Sequence, residues 1–104
     1  MTTNTEQLSL VGRKAAQARD WRTVEACANE LIRLSTSNPE GYFLKGLVEK
    51  AAQHPNVASE AFEKVLSLDS TRYDAAIELA SQLVISLRNT EAISLLERYT
   101  GSLS

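Results

Sequence analysis

Cysteine is almost absent. Cys27 stands alone, so no disulfide forms within the chain, and a lone thiol suits a reducing compartment. Histidine is as scarce. His54 is the only one, with no Cys or Asp/Glu pattern at ligand spacing, so neither a zinc site nor an imidazole-based catalytic constellation is expected. Glycine (4) and proline (2) are few, which favours helix over strand. No apolar run approaches the roughly 18 residues of a membrane span. The opening MTTNTEQLSL has neither the basic start nor the apolar core of a signal peptide, so residence in the cytoplasm is expected. A net charge of -2 gives no long-range attraction to nucleic acid or an anionic membrane, and there is no basic stripe. A glycine-rich phosphate loop is missing too. The expectation is a protein that is not an enzyme, with no cofactor, no metal, no nucleic acid and no membrane partner.

What the chain does have is helical periodicity. A hydrophobic fraction of 43% is ordinary for one folded domain over 1–104. Helical spacing predicts six helices, near 5–18, 21–35, 39–53, 56–68, 71–87 and 90–99. Asp20 and Asn89 are expected to cap the second and last helices, and Asn38–Pro39 fits a cap followed by a first helical residue. Thr71 with Asp74 is expected to form a capping box, and Pro55 to lie in the turn between the third and fourth helices. Helices joined by such short turns run antiparallel.

Gly12, Gly46 and Ala80 lie 34 residues apart. The same shift aligns Leu8, Tyr42 and Ala76, then Val24, Ala58 and Ala92, then Ala28, Phe62 and Leu96, and Leu31, Val65 and Tyr99. A fixed period of about 20–50 residues marks stacked copies of one supersecondary unit. Small residues at Gly12, Gly46 and Ala80 are expected where the two helices of a pair approach closely.

The pattern resembles three tetratricopeptide repeats, about 5–38, 39–72 and 73–104. Repeat one matches through Leu8, Val11–Gly12, Ala15, Val24, Ala28 and Leu31. Repeat two matches through Tyr42, Gly46, Ala58, Phe62 and Val65, with AFEKVLSLDS resembling the family's second helix. Repeat three matches through Leu79–Ala80, Leu83, Ala92, Leu96 and Tyr99. The resemblance implies an all-α, right-handed helical solenoid of three antiparallel helix pairs with a concave groove. It implies a scaffold that binds a peptide or helix of a partner protein there.

Repeat two departs from the pattern. Lys45 and Glu49 stand where Val11 and Ala15 sit in repeat one, and the apolar stripe runs instead through Phe43, Leu44, Leu47, Val48 and Ala51. That stripe is either core in a rotated helix or part of an apolar groove. Ile77, Val84 and Ile85 would line such a groove, with Leu10 at its rim. The partner-binding candidates are therefore Phe43, Leu44, Leu47, Ile77 and Val84, with Arg13, Asp74 and Glu78 as polar edges. Trp21 reads as a packing aromatic and Cys27 as a small core residue. Tyr73 is expected near the groove's rim.

The last helix is followed only by TGSLS, so Leu95, Leu96 or Tyr99 is expected to be partly exposed. Three readings follow: a domain excised from a larger protein, such as an accessory domain of a transferase, a homodimer that closes the uncovered last repeat, or a last pair polar enough on its outer face to stand alone.

Some tetratricopeptide domains grip the acidic tails of heat-shock chaperones through Lys and Asn. The matching positions here are Ser9, Arg13, Leu44, Asp74 and Glu78, with one cation and two carboxylates. An acidic tail is repelled, and no bidentate clamp forms. Titration with an acidic chaperone-tail peptide is expected to show no binding; micromolar affinity would overturn this.

Overall fold

The computed structural model describes residues 4–100. Within them the chain forms six helices and no strand: α1 Asn4–Gln17, α2 Trp21–Leu34, α3 Pro39–Ala51, α4 Pro55–Leu68, α5 Tyr73–Ile85 and α6 Asn89–Thr100. Each helix packs on its neighbours in sequence, and α1 also reaches α3. This order of packing is compatible with a helical repeat. Among the described residues no helix is long and apolar enough to cross a membrane.

The turn within each pair has one construction, used three times. The amides of Asp20, His54 and Arg88 donate to the carbonyls of Ala15, Glu49 and Leu83 at 2.8, 2.9 and 2.7 Å. The amides of Arg19, Gln53 and Leu87 donate to Ala16, Lys50 and Val84. This Schellman closure puts one residue in the left-handed region. Arg19, Gln53 and Leu87 hold it, at φ of 59°, 62° and 64°. The turns between pairs also repeat: Ser35 and Asp69 donate to Leu31 and Val65, and Asn38 and Arg72 to Ser35 and Asp69. The 34-residue step seen in side chains is thus also carried by backbone hydrogen bonds.

Two caps form as expected. Asp20 accepts from the Thr23 amide at 3.3 Å, and Asn38 accepts from the Glu40 amide at 3.0 Å with Pro39 next in line. Three expectations need correction. The Thr71–Asp74 capping box does not form: Asp69 takes both the amide and the hydroxyl of Thr71, and α5 starts two residues later at Tyr73. Asn89 is not a cap but the first residue of α6, and the Arg88 carbonyl accepts the Ala92 amide. Pro55 is the first residue of α4 rather than a turn residue, a place where its missing N–H costs nothing.

The buried side chains form two clusters. One joins Ala15, Val24, Cys27, Ala28 and Leu31 of the first pair to Leu44 of α3. The other joins Phe43, Phe62, Val65 and Leu66 to Ala75, Ala76, Leu79, Leu83 and Leu95. Leu47 packs against both. Cys27 is a free, buried thiol, and burial pushes its pKa up. The small residues at the repeat positions have a steric reason. A Cβ at Gly46 would lie 2.5 Å from the Phe62 ring, and one at Gly12 would lie 2.6 Å from Leu44 Cδ1. Gly41 is also tight, with a Cβ there 2.9 Å from Ile32.

Glycine therefore has opposite effects at two places. Leu87→Gly removes a left-handed strain of roughly 1–2 kcal/mol from an exposed turn, less the entropy glycine adds to the unfolded chain. Gly46→Ala gains about 1 kcal/mol of helix propensity but drives a methyl into a buried ring, at about 1–3 kcal/mol or more. Urea titration should show Leu87→Gly unchanged or stabilised and Gly46→Ala destabilised; a stabilised Gly46→Ala would contradict the packing described.

Candidate interaction surface

Glu40 sits in the first turn of α3 and is buried. Burying a carboxylate is costly unless it is paired. Here it is paired from both sides. Arg13 of α1 reaches it through Nε and Nη2 (the latter at 2.8 Å), Ser9 of α1 donates its hydroxyl, and Arg72, just before α5, donates at 3.2 Å. Arg72 also forks onto Asp74 of α5, with both contacts at 3.0 Å. Arg13 approaches Asp74 at 3.8 Å. Both guanidinium groups lie over the Phe43 ring, 5.1 and 5.0 Å from its centre. A second bridge, Lys50 to Glu78 at 2.8 Å, ties α3 to α5 further along. The odd-numbered helices thus share one face, locked by cross-helix ion pairs.

The electrostatics follow from this geometry. Burial alone pushes the Glu40 pKa up, but the hydrogen bonds from Arg13 and Ser9 and the two guanidinium charges outweigh it and hold the carboxyl below its ordinary value. The hydrogen bond from Arg72 does the same for Asp74. Arg13 is raised chiefly by its bond to Glu40, and Arg72 chiefly by its bond to Asp74. Two cations meet two anions, so the cluster is internally neutral and offers no unpaired charge to a ligand. It holds helices in place.

The expected site residues fall into three groups. Arg13, Asp74 and Glu78 lie on the odd-helix face, but each is engaged with another side chain. Phe43 and Leu44 are core, at 6% and 0% exposure, which corrects their placement as groove anchors. Leu44 fills the space beside Gly12, and Phe43 packs edge-on against Phe62 at 5.7 Å. Leu47 is half-buried, whereas Ile77 and Val84 are exposed at 67% and 52%, with Ile85 and Leu10 also open. A groove of about 460 Å³ lies beside Ile85, between it and Lys50, Gln53 and Pro55. Of the last-helix residues, Leu96 is exposed and Tyr99 partly buried, while Leu95 is buried. Tyr99 donates to the Ser70 carbonyl and packs edge-on with Tyr73, fixing that exposed residue against α6. Trp21 packs against the first cluster beside Leu47.

Glu40, Arg72 and Lys50 were not anticipated. A sequence signal for them exists: Arg13 to Glu40 is 27 residues and Lys50 to Glu78 is 28, opposite charges somewhat less than one repeat apart. His54 bonds Glu49 through Nδ1 at 2.9 Å, and among the described residues no group of three or more His, Cys, Asp and Glu is arranged to hold a metal ion. No family model matches the chain, and no curated protein matches it.

The low pKa values of Glu40 and Asp74 make the fold acid-sensitive. A carboxyl whose folded value lies below its unfolded one contributes stability that is complete above the unfolded value, 4.5 for Glu and 3.8 for Asp, and is lost as pH falls through the folded value. Glu40→Gln should cost about 1–3 kcal/mol near neutrality and flatten the decline of Tm in acid. A Tm profile of Glu40→Gln parallel to that of the wild type from neutrality to acid would contradict the network.

Proposed function

We propose that this chain is a three-repeat tetratricopeptide-type domain, a right-handed helical solenoid that acts as a cytoplasmic protein-interaction scaffold. It captures a helix or extended peptide of a partner on the face shared by α1, α3 and α5. The observation that carries this reading is the open apolar row on α5: Ile77, Val84 and Ile85 are all more than half exposed, and they stand beside side chains immobilised by ion pairs. Such rows usually mark interaction sites on water-exposed domains. Two supports accompany it. The repeat recurs in backbone turns as well as side chains. The ion-paired frame pre-organises the surface, which lowers the entropic cost of binding. With Phe43 and Leu44 in the core, the apolar anchors reduce to Leu47, Ile77, Val84 and Ile85, with Lys50 and Glu78 as polar neighbours.

Selection from a random synthetic peptide library tests this with no partner chosen in advance. Peptides that bind the wild type are expected to carry spaced apolar anchors and to lose at least tenfold in affinity for an Ile77→Glu/Val84→Glu double variant of unchanged helicity. Recovered peptides that bind both forms equally, or none recovered above background, would contradict the reading.

A further inference from the structure

The 34-residue equivalence identifies what lies open at the end of the third pair. Leu96 of α6 corresponds to Ala28 of α2 and Phe62 of α4. Those two are 1% and 0% exposed, whereas Leu96 is 43% exposed. Ile93 corresponds to Ser59, which is fully buried under the third pair, and to Glu25, which stays exposed; Ile93 itself is 57% exposed. In the second pair, Phe62 is closed in on one side by Gly46 of α3 and belongs to one cluster with Ala75, Ala76 and Leu79 of α5.

The same holds on the odd helices. Ile77 corresponds to Ser9 and Phe43, and Val84 to Ala16 and Lys50. Ser9 donates to Glu40 of α3, Phe43 clusters with Ala75 and Ala76 of α5, and Lys50 pairs with Glu78 of α5. Each of these residues meets the next odd helix. Ile77, Val84, Ile93 and Leu96 therefore all stand where the next odd helix would rest, and all four are apolar and exposed. The molecule itself shows what fits there, because α3 occupies this seat on α1 and α2, and α5 occupies it on α3 and α4. At the closest approach the seated helix carries a small residue: Gly41 against Leu31 and Ile32, and Ala75 clustered with Val65 and Leu66.

We propose that the end face built from Ile77 and Val84 of α5 and Ile93 and Leu96 of α6 is a seat for one amphipathic helix of a partner protein, held in the manner of α3 and α5. The interface continues one that the chain already forms twice. Its occupant has Gly or Ala in its first turn and an apolar residue about one turn later, as Gly41 and Leu44 do in α3. A second copy stacked head to tail does not meet this requirement. Its α1 would bring Gln7, a long side chain, to the place where α3 has Gly41 and α5 has Ala75. The seat shares Ile77 and Val84 with the face proposed above, so it rests partly on that reading. Ile93 and Leu96 lie on α6, outside that face, and separate the two.

The test uses the full chain and a synthetic peptide with the sequence of residues 37–54, which spans α3 and its Asn38–Pro39 start. Amide and methyl NMR titration should show saturable shifts centred on Ile77, Val84, Ile93 and Leu96. Ile93→Glu and Leu96→Glu, each with unchanged helicity, should weaken binding by tenfold or more, while library peptides bound to the odd-helix face remain unaffected by Ile93→Glu. No shifts at millimolar peptide, shifts centred on α1 and α2, or equal binding by both variants would overturn the proposal. So would sedimentation showing a wild-type dimer that Ile93→Glu dissolves, since the seat would then belong to a second copy.

Discussion

The stack depends on the Phe62 ring lying directly on the backbone of Gly46. A Cβ there would sit 2.5 Å from the ring, so the closeness of α3 to α4 is set by the lack of a side chain. The ring is fully buried, which contributes about 1.5–3 kcal/mol and outweighs the roughly 1 kcal/mol that glycine costs within a helix. Gly12 plays the same part between α1 and its neighbours, where Leu44 of α3 fills the space a side chain would take. Helices brought this near must be joined by tight turns. The same Schellman closure therefore recurs at Arg19, Gln53 and Leu87, even though none of the three is glycine.

Close packing sets the distance between helices; ion pairing sets their lateral alignment. Glu40 ties α1, α3 and the start of α5 together from one buried carboxylate, and Lys50–Glu78 repeats the link between α3 and α5. Their energetic weight differs. Glu40 is shielded and carries three donors, whereas Lys50 and Arg13 are close to half exposed and screened by water. The cluster neutralises its own charges, so on the proposed reading a partner would be chosen by apolar shape at Ile77, Val84 and Leu47 and by where the fixed polar groups exclude competitors.

Much of the fold is written in the sequence because its determinants are local. Apolar periodicity, the caps at Asp20 and Asn38, and small residues at a constant interval each specify structure within a few turns. Thr71 was misleading because Asp69 competes for its amide, a choice between two short-range partners that propensity alone does not decide. The candidate surface was less legible. Leu44 and Phe43 share the apolar character of Ile77 and Val84, and whether such a residue is buried depends on a helix distant in sequence. Leu44 is covered because Gly12 leaves room for it; Ile77 is open because no described helix follows α5 on that side. The Glu40 network was missed for the same reason, its partners lying 27 to 32 residues apart on three elements.

The central claim is that Ala28, Phe43, Ser59 and Phe62 are buried in the first two pairs while their counterparts in the third, Ile77, Ile93 and Leu96, stand open. Methyl NMR of the full chain with a soluble paramagnetic probe measures this directly. The account predicts strong broadening of Ile77, Val84, Ile85, Leu87, Ile93 and Leu96 while Val24, Leu31, Leu44 and Val65 stay sharp. Broadening of Leu44 and Leu31 equal to that of Ile77 and Ile93, or protection of the latter pair at low protein concentration, would contradict it.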